Sequence, residues 1–596
     1  MNVLGLSFYY HDSSVALVKD GVLVAAAAEE RFSRKKHDSG FPELAIDFCL
    51  KQGGISIHDV DHVVFYEKPF IKFERMLITA MATFPKSANV FRESMQRWIS
   101  DKLWIKSMMA KRLDLPRSKF LFADHHVSHA ASSFFTSPFE ESAILTVDGA
   151  GEWTTSTMAI GRGNKIEVIK EMRFPHSLGL LYSAFTAYCG FEINEGEYKL
   201  MGMHPYGEPR FVDEIYKLLH VGEDGSLWHD MEYFQYHHST NDTLSEAFEK
   251  HFGKPRRDPK DGDKSLDPYY CDMAASIQRV TEEILLKMVH HLKEITGMDN
   301  LCLAGGVALN SVANYKLMRN GPFKDVYIHP APGDDGCAAG AAYWAYNHLL
   351  DQPRGPALQH AYLGSEHTDQ QIQDFLEKND IAYKKIDDDE EFFDFVARAL
   401  QDGQVCGWMR GRFEWGPRAL GSRSIIADPR RMEMKEKLNE KIKFREAFRP
   451  FAPSVTEERA DEFFEIPEPQ RHWPARFMLY VAPVRMEKRS DLPAITHEDG
   501  SGRLQTVYKQ TNPAYHRIIE RFGELTGVPV IMNTSFNLKG EPIVESPAHA
   551  FNTFSLSGMD YLFMNNYIVD ADAKKKIADT VFHLRHEGDS VTQMVS

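Results

Sequence analysis

His125 and His129 stand four residues apart in the run Asp124-His125-His126-Val127-Ser128-His129. On a helix that spacing puts both imidazoles on one face, where they can share an ion, while His126 points elsewhere. No glutamate follows the first histidine, so this is not the H-E-x-x-H pattern of a zinc protease. Two acids can complete a ligand set. Asp148 closes an apolar run, and Asp334 sits in the turn Pro332-Gly333-Asp334-Asp335-Gly336. Two imidazoles and carboxylates with open positions suit Fe2+, Mn2+ or Zn2+ holding a substrate oxygen. A surface histidine pair and strand-end acids with no metal would read the same way.

Three glycine-rich turns accompany this constellation. Asp148-Gly149-Ala150-Gly151 and Ala304-Gly305-Gly306-Val307-Ala308-Leu309-Asn310 each follow a strand-like run, and Gly333–Gly336 is the third. Glycines there let backbone N–H groups approach a phosphate at a helix N-terminus; a plain turn is the alternative at each. There is neither a Walker A motif nor a G-x-G-x-x-G after a strand. Far along the chain come Lys443-Phe444-Arg445 and Ser535-Phe536-Asn537. In an extended segment residues i and i+2 face the same way, so Lys443 projects with Arg445, and Ser535 with Asn537. Arg418 and Arg423 add cations. Arginine's planar fork and lysine's point charge suit phosphate, and serine and asparagine can cap remaining oxygens. The competing reading is a solvated charge cluster.

These residues need a scaffold. Strands are expected at 2–8, 15–18, 22–28, 120–123, 143–147 and 301–304, with helices at 42–51, 125–135, 177–188, 273–295 and 307–318. Asp20-Gly21 supplies a two-residue hairpin turn. After Asp351-Gln-Pro-Arg-Gly-Pro356, a proline- and glycine-rich linker, a second pattern starts: strands at 405–409, 477–481, 529–532 and 561–569, helices at 513–525 and 548–557. Alternating strands and helices mean an α/β protein, in two domains of residues 1–354 and 355–596. A length of 596 residues fits more than one core. The net charge of −16 disfavours nucleic acid as a partner. Six scattered cysteines without a C-x-x-C pair fit a reducing cytoplasm. No apolar run reaches the ~20 residues a membrane span requires, so no membrane is expected.

Taken together the motifs resemble the NodU-type O-carbamoyltransferases, which carbamoylate hydroxyls of nodulation factors and of antibiotics such as tobramycin. The resemblance spans essentially the whole chain. It rests on Gly5-Leu6-Ser7, Tyr10-His11-Asp12-Ser13, Glu29-Glu30-Arg31-Phe32, His125–His129, Asp148-Gly149, Glu197–Gly202, Gly305–Asn310, Trp415–Arg423 and Asn533–Asn537. It implies an actin/Hsp70-like (ASKHA) metalloprotein fold followed by a YrdC-like domain. It implies His125, His129, Asp148 and Asp334 as metal ligands, with Fe2+ expected first. Asp334 rather than Asp335 is implied because the sister enzymes carry an Asp-Asn there. Arg418, Arg423, Lys443, Arg445, Ser535 and Asn537 become the site for carbamoyl phosphate and ATP with Mg2+, Lys443 and Arg445 acting in catalysis. Gly149, Lys199, Gly202, Gly305, Gly306 and Asn310 would hold carbamoyl-AMP in the first domain. His11 would act on the acceptor hydroxyl, with Lys36 nearby. The acceptor is a hydroxyl-bearing natural product, and an oligomer is compatible with this reading. The rivals are tRNA threonylcarbamoylation, hydrogenase maturation, whose zinc fingers have no counterpart here, and an actin-fold ATPase that performs no transfer.

Overall fold

The computed structural model describes residues 1–100, 102–239, 242–262, 266–443, 446, 448–449 and 451–576. Two five-stranded sheets repeat one plan. In the first, β1 (Asn2–Ser7), β2 (Ser14–Lys19) and β3 (Val22–Ala28) form an antiparallel meander. β4 (His62–Phe65) and β5 (Phe120–Phe122) then add in parallel on the other side of β1. In the second, β6 (Glu141–Val147), β7 (Thr154–Arg162) and β8 (Lys165–Arg173) meander, and β9 (Asn300–Ala304) and β10 (Asp325–Ile328) add in parallel beyond β6. The order third–second–first–fourth–fifth thus occurs twice, as the actin/Hsp70-like expectation requires.

Parallel neighbours need crossovers, and these supply the helices. α1 (Pro69–Ala82) and α2 (Ala88–Ser100) precede β5, and α3 (His125–Phe134) follows it. α4 (Glu197–Met203) and the long α5 (Pro268–Thr296) precede β9, α6 (Ser311–Asn320) follows it, and α7 (Cys337–Tyr343) follows β10. α7 is all small residues save its last, and every one is buried. A Cβ on Gly340 would stand 1.8 Å from the Ser128 carbonyl oxygen of α3, and a Cβ on Gly5 equally close, 1.8 Å, to that of Ala338. Backbone-to-backbone contact therefore clamps α7 between β1 and α3.

Beyond residue 380 lies an eight-stranded mixed sheet. Its strands are β11 (Lys384–Lys385), β12 (Cys406–Met409), β13 (Arg423–Ala427), β14 (Ala452–Thr456), β15 (Gln505–Val507), β16 (Val530–Ser535), β17 (Tyr561–Met564) and β18 (Tyr567–Asp570). The order is β11-β18-β17-β12-β13-β16-β14-β15. The 351–356 segment is anchored: a Cβ on Gly355 would lie 1.9 Å from Gly21 O, and Arg354 donates to Phe134 O at 2.8 Å. Phe413 and Trp415 join the core built on the first sheet.

Three expected elements differ. The 307–318 helix breaks at Asn310, whose side chain caps α6 by accepting from Ala313 N–H at 3.0 Å. The 561–569 strand is the hairpin β17–β18, turned at Asn565 with φ of 48°; asparagine tolerates that left-handed backbone. At 477–481 only Val481 is in a strand, because the short helix Trp473–Arg476 and a turn occupy the approach.

Candidate metal centre and anion pocket

α3 carries both histidines on its inner face, and both are buried. The Glu152 carboxylate anchors the start of α3, accepting from His125 N–H at 3.1 Å and Lys68 N–H at 2.7 Å. Negative charge there suits the helix dipole. Asp148 follows β6, and its Oδ1 accepts from Gly306 N–H at 2.8 Å, which turns Oδ2 inward. Gly305 permits this: at φ of 96° a Cβ would lie 2.2 Å from Val147 O. Asp334 arrives from the turn ahead of α7. His125 Nε2 lies 3.3 Å from Asp148 Oδ2 and 3.5 Å from Asp334 Oδ1; His129 Nε2 lies 3.9 and 3.4 Å from the same oxygens.

Nε2 of each histidine thus lies within 3.9 Å of both carboxylates, which three separate segments bring together. Among the described residues His129 Nε2 is buried without a hydrogen-bond partner, as is Asp334 Oδ2, which faces His11. Such atoms are costly unless something completes them, and a divalent cation at the focus does so. The residues therefore fit the implied metal. With only protein groups as neighbours, burial would lower the His125 pKa, but the Asp334 charge and the Asp148 hydrogen bond lift it to about 9. Burial instead drives His126 well below its ordinary value; it bonds Thr146 Oγ1 at 2.6 Å, outside the cluster. Cys337, absent from the sequence-based set, closes the same cluster with His125, His129 and Asp334. Its spacing of three residues from Asp334, about one helical turn, was the available signal.

A polar chain leads outward from Asp334. His11 Nε2 lies 3.7 Å from Asp334 Oδ2, and His11 Nδ1 contacts Asp12 Oδ2 at 2.9 Å. Asp12 Oδ1 meets His37 Nδ1 at 2.7 Å, and Glu30 accepts from His37 N–H at 3.0 Å. Lys36 pairs with Glu195 beside them. Asp12, His37 and Glu195 add an orienting shell that residue types alone had not marked.

The second set of residues gathers near the end of β16. Lys443 ends the helical turn Asn439–Lys443, not an extended segment as expected. Its Nζ nevertheless reaches Ser535 O, Ser535 Oγ at 3.2 Å, Asn537 O at 3.0 Å and Asn537 Oδ1 at 2.8 Å. Ser535 Oγ donates to Asn537 Oδ1 at 2.7 Å, so this i, i+2 pair does face one way. Arg445 lies outside the described residues. Arg418 makes no hydrogen bond or ion pair among the described residues, its Nε is buried unpartnered, and burial pulls its pKa down to about 10. Arg423 requires a correction. It is fully buried and donates to Glu545 O, Gly411 O, Ser422 O and Ser365 O, which makes it a strut for surrounding loops rather than an anion ligand.

The nucleotide-binding candidates divide. Gly149 lies under Gly179, where a Cβ would stand 2.8 Å from Gly149 N, and Gly305 and Gly306 frame Asp148. Lys199 and Gly202 lie on α4, and Lys199 pairs with Glu446 at 3.1 Å across the molecule. Asn310 is committed to the α6 cap and to Gln278, donating to its Oε1 at 2.9 Å.

Residues 2–343 match the family described as carbamoyltransferase N-terminus, and residues 397–571 the carbamoyltransferase C-terminus. An uncharacterised Synechocystis protein, sll1178, is 46% identical over 96% of this chain and 97% of its own. Nodulation protein NolNO of Sinorhizobium fredii is 37% identical over 94% of this chain and 79% of its own. Likeness to solved structures is weak. Full-length HypF in its phosphate- and nucleotide-bound form shares 14% identity at a TM-score of 0.33, over 59% of this chain and 56% of its own.

Proposed function

The chain belongs to the carbamoyltransferase family and is an enzyme of that kind, and from that premise we propose ATP-dependent O-carbamoyl transfer divided between two sites. Residues 355–596 form a YrdC-like unit that cleaves carbamoyl phosphate to carbamate and phosphate, then joins carbamate to AMP with release of pyrophosphate. Lys443 and Arg418, with Arg445, offset the crowded negative charge of these substrates. Ser535 and Asn537 cap the remaining oxygens. Residues 1–354 receive carbamoyl-AMP, whose phosphate meets the backbone N–H groups at Gly149, Gly305 and Gly306.

His125, His129, Asp148 and Asp334 would hold Fe2+, or Mn2+ or Zn2+, which when bound supplies Lewis-acid polarisation of an oxygen of the transferred group. His11, steered by Asp12, orients the acceptor hydroxyl as it attacks the carbamoyl carbon and AMP leaves. The acceptor is a hydroxyl of a small natural product. A tRNA acceptor is disfavoured by the net charge of −16. Six free, buried cysteines support a cytoplasmic setting, and no described helix is long and apolar enough to cross a membrane.

The observation that carries the reading is the approach of His125 and His129 to Asp148 and Asp334, with His129 Nε2 buried and unpartnered among the described residues. The test supplies carbamoyl phosphate, ATP and a divalent metal without acceptor, and follows phosphate, pyrophosphate and carbamoyl-AMP. All three are expected, and Lys443→Ala should lower their formation by about a hundredfold. Carbamoyl phosphate left intact while ATP becomes ADP would overturn the reading in favour of an actin-fold ATPase.

A further inference from the structure

α1 turns its apolar side to solvent. Its exposed positions are Phe70, Ile71, Glu74, Ile78, Met81 and Ala82, of which Glu74 alone is polar. Phe70 is 72% exposed, Met81 78% and Phe84, just past the helix, 73%. Ile99 and Trp104 in the next segment are also exposed, at 54% and 58%. A soluble α/β protein ordinarily shows water the polar side of such a helix. Over 14 residues the stripe runs about 21 Å.

The same stretch is strongly basic. Residues 68–119 hold twelve Lys and Arg against four Asp and Glu, a surplus of eight in a chain of net charge −16, which leaves the remainder at −24. Lys86, Arg92 and Lys106 are exposed within this stretch. Exposed aromatic and aliphatic side chains flanked by cations are the pattern of a helix that lies in a lipid interface.

We propose that α1, the Phe84 turn and α2 dock this protein on an anionic phospholipid surface. The apolar side chains enter the headgroup boundary while Lys86, Arg92 and Lys106 meet lipid phosphates. Charge argues against a second copy as the occupant, since an isologous contact would set the exposed Lys86, Arg92 and Lys106 of one copy against the same cations of the other. Charge also fixes the orientation, because the acidic remainder is repelled by such a surface. The docked segment adjoins the candidate site: Lys102 donates to Tyr9 O at 3.0 Å, and Lys72 Nζ lies 4.9 Å from the centre of the Tyr10 ring, next to His11. Resting on the proposed function, an acceptor carrying a lipid tail would be presented beside His11.

The test is sedimentation of the full chain with vesicles of phosphatidylglycerol or of phosphatidylcholine, at low and high salt. Binding is expected on the anionic vesicles, weaker by about tenfold or more on the neutral ones, and reduced by salt. The triple variants Phe70→Ser/Met81→Ser/Phe84→Ser and Lys86→Glu/Arg92→Glu/Lys106→Glu should each lose it. Both should keep the wild-type unfolding midpoint and acceptor-free turnover of carbamoyl phosphate. The proposal is overturned if anionic and neutral vesicles bind equally, or if the apolar variant binds as well as wild type. It is equally overturned if the wild-type chain leaves vesicles alone and forms a dimer that the apolar variant dissociates. None of these readings depends on carbamoyl transfer, so each proposal can fail alone.

Discussion

The metal centre and the lysine pocket solve opposite problems. At the first, ligand atoms are fixed by backbone: Asp148 is held by Gly306 N–H, His125 and His129 by a helix pinned at Gly340, and Asp334 by the turn into α7. What remains is His129 Nε2, facing the carboxylates with no hydrogen-bond partner among the described residues. At the second, Lys443 already spends its donors on Ser535 and Asn537. A phosphate entering there must replace internal bonds, whereas an ion entering the first completes them. On the proposed function the first site is preorganised, and the second exchanges partners as substrate arrives.

That contrast predicts separable losses. Replacing His125 or His129 by Ala, or Asp334 by Asn, should cut transfer to an acceptor by about a thousandfold or more. Acceptor-free release of pyrophosphate should persist in these variants, and metal content should fall in parallel. Chelation of the wild-type enzyme, assayed with Mg2+ restored for ATP, should reproduce the result. Loss of both half-reactions together would break the comparison. The reciprocal variant is Lys443→Ala. Formation of carbamoyl-AMP should drop by about a hundredfold, while transfer from carbamoyl-AMP supplied ready-made stays near wild type. Lys443→Arg tests the exchange itself, because a longer planar fork cannot nest among the same four oxygens.

That His125, His129, Asp148 and Asp334 lie near one another was legible because the signals are local: two histidines one helical turn apart, an acid ending a strand, an acid in a glycine turn. The clamp that makes them converge was not readable. Gly340 against Ser128 and Gly5 against Ala338 are contacts between distant segments, and a run such as Cys-Ala-Ala-Gly-Ala-Ala looks merely helical until its partners are known. Arg423 misled for the converse reason. An arginine in a cationic stretch has the residue type of a phosphate ligand, and only its burial among four backbone carbonyls shows that it holds loops. Lys443 stands on a helical turn where an extended segment was expected, and its long side chain reaches Ser535 and Asn537 from there as readily as from a strand. The strands β7 and β8 escaped notice because β8, Lys-Ile-Glu-Val-Ile-Lys-Glu-Met-Arg, is largely exposed and shows no buried run.

Between the two regions stands one short segment that touches both, and it yields the smaller effects. Arg31 donates to Gly416 O at 2.9 Å, in the loop that carries Arg418. Arg34 donates to Ile543 O at 2.7 Å and Pro542 O at 2.8 Å, just beyond Glu541, whose carbonyl accepts from Asn537 Nδ2 at 2.6 Å. Two residues further on, Lys36 and His37 reach Glu195 and Asp12. Arg34 thus ties the segment carrying Lys36 and His37 to the loop beyond Asn537. Arg34→Ala should leave carbamoyl-AMP formation within a few-fold of wild type but lower the yield of carbamoylated acceptor by about tenfold, with free carbamoyl-AMP hydrolysing in solution. Arg34→Lys should not restore it, because one ammonium cannot span both carbonyls as the fork does. Equal falls in both half-reactions would reduce Arg34 to a purely structural strut.

Lys36→Ala gives the smallest effect. Its pair with Glu195 is partly exposed, so stability should change by about 1 kcal/mol or less. If Lys36 contacts the acceptor, the KM for acceptor should rise by about threefold to tenfold with kcat unchanged, because uniform binding is lost and the attacking geometry at His11 is not. A fall in kcat at constant KM would instead move Lys36 into the chemistry, and it would make the His11–Asp12–His37 chain part of the metal centre's reactive surface rather than its approach.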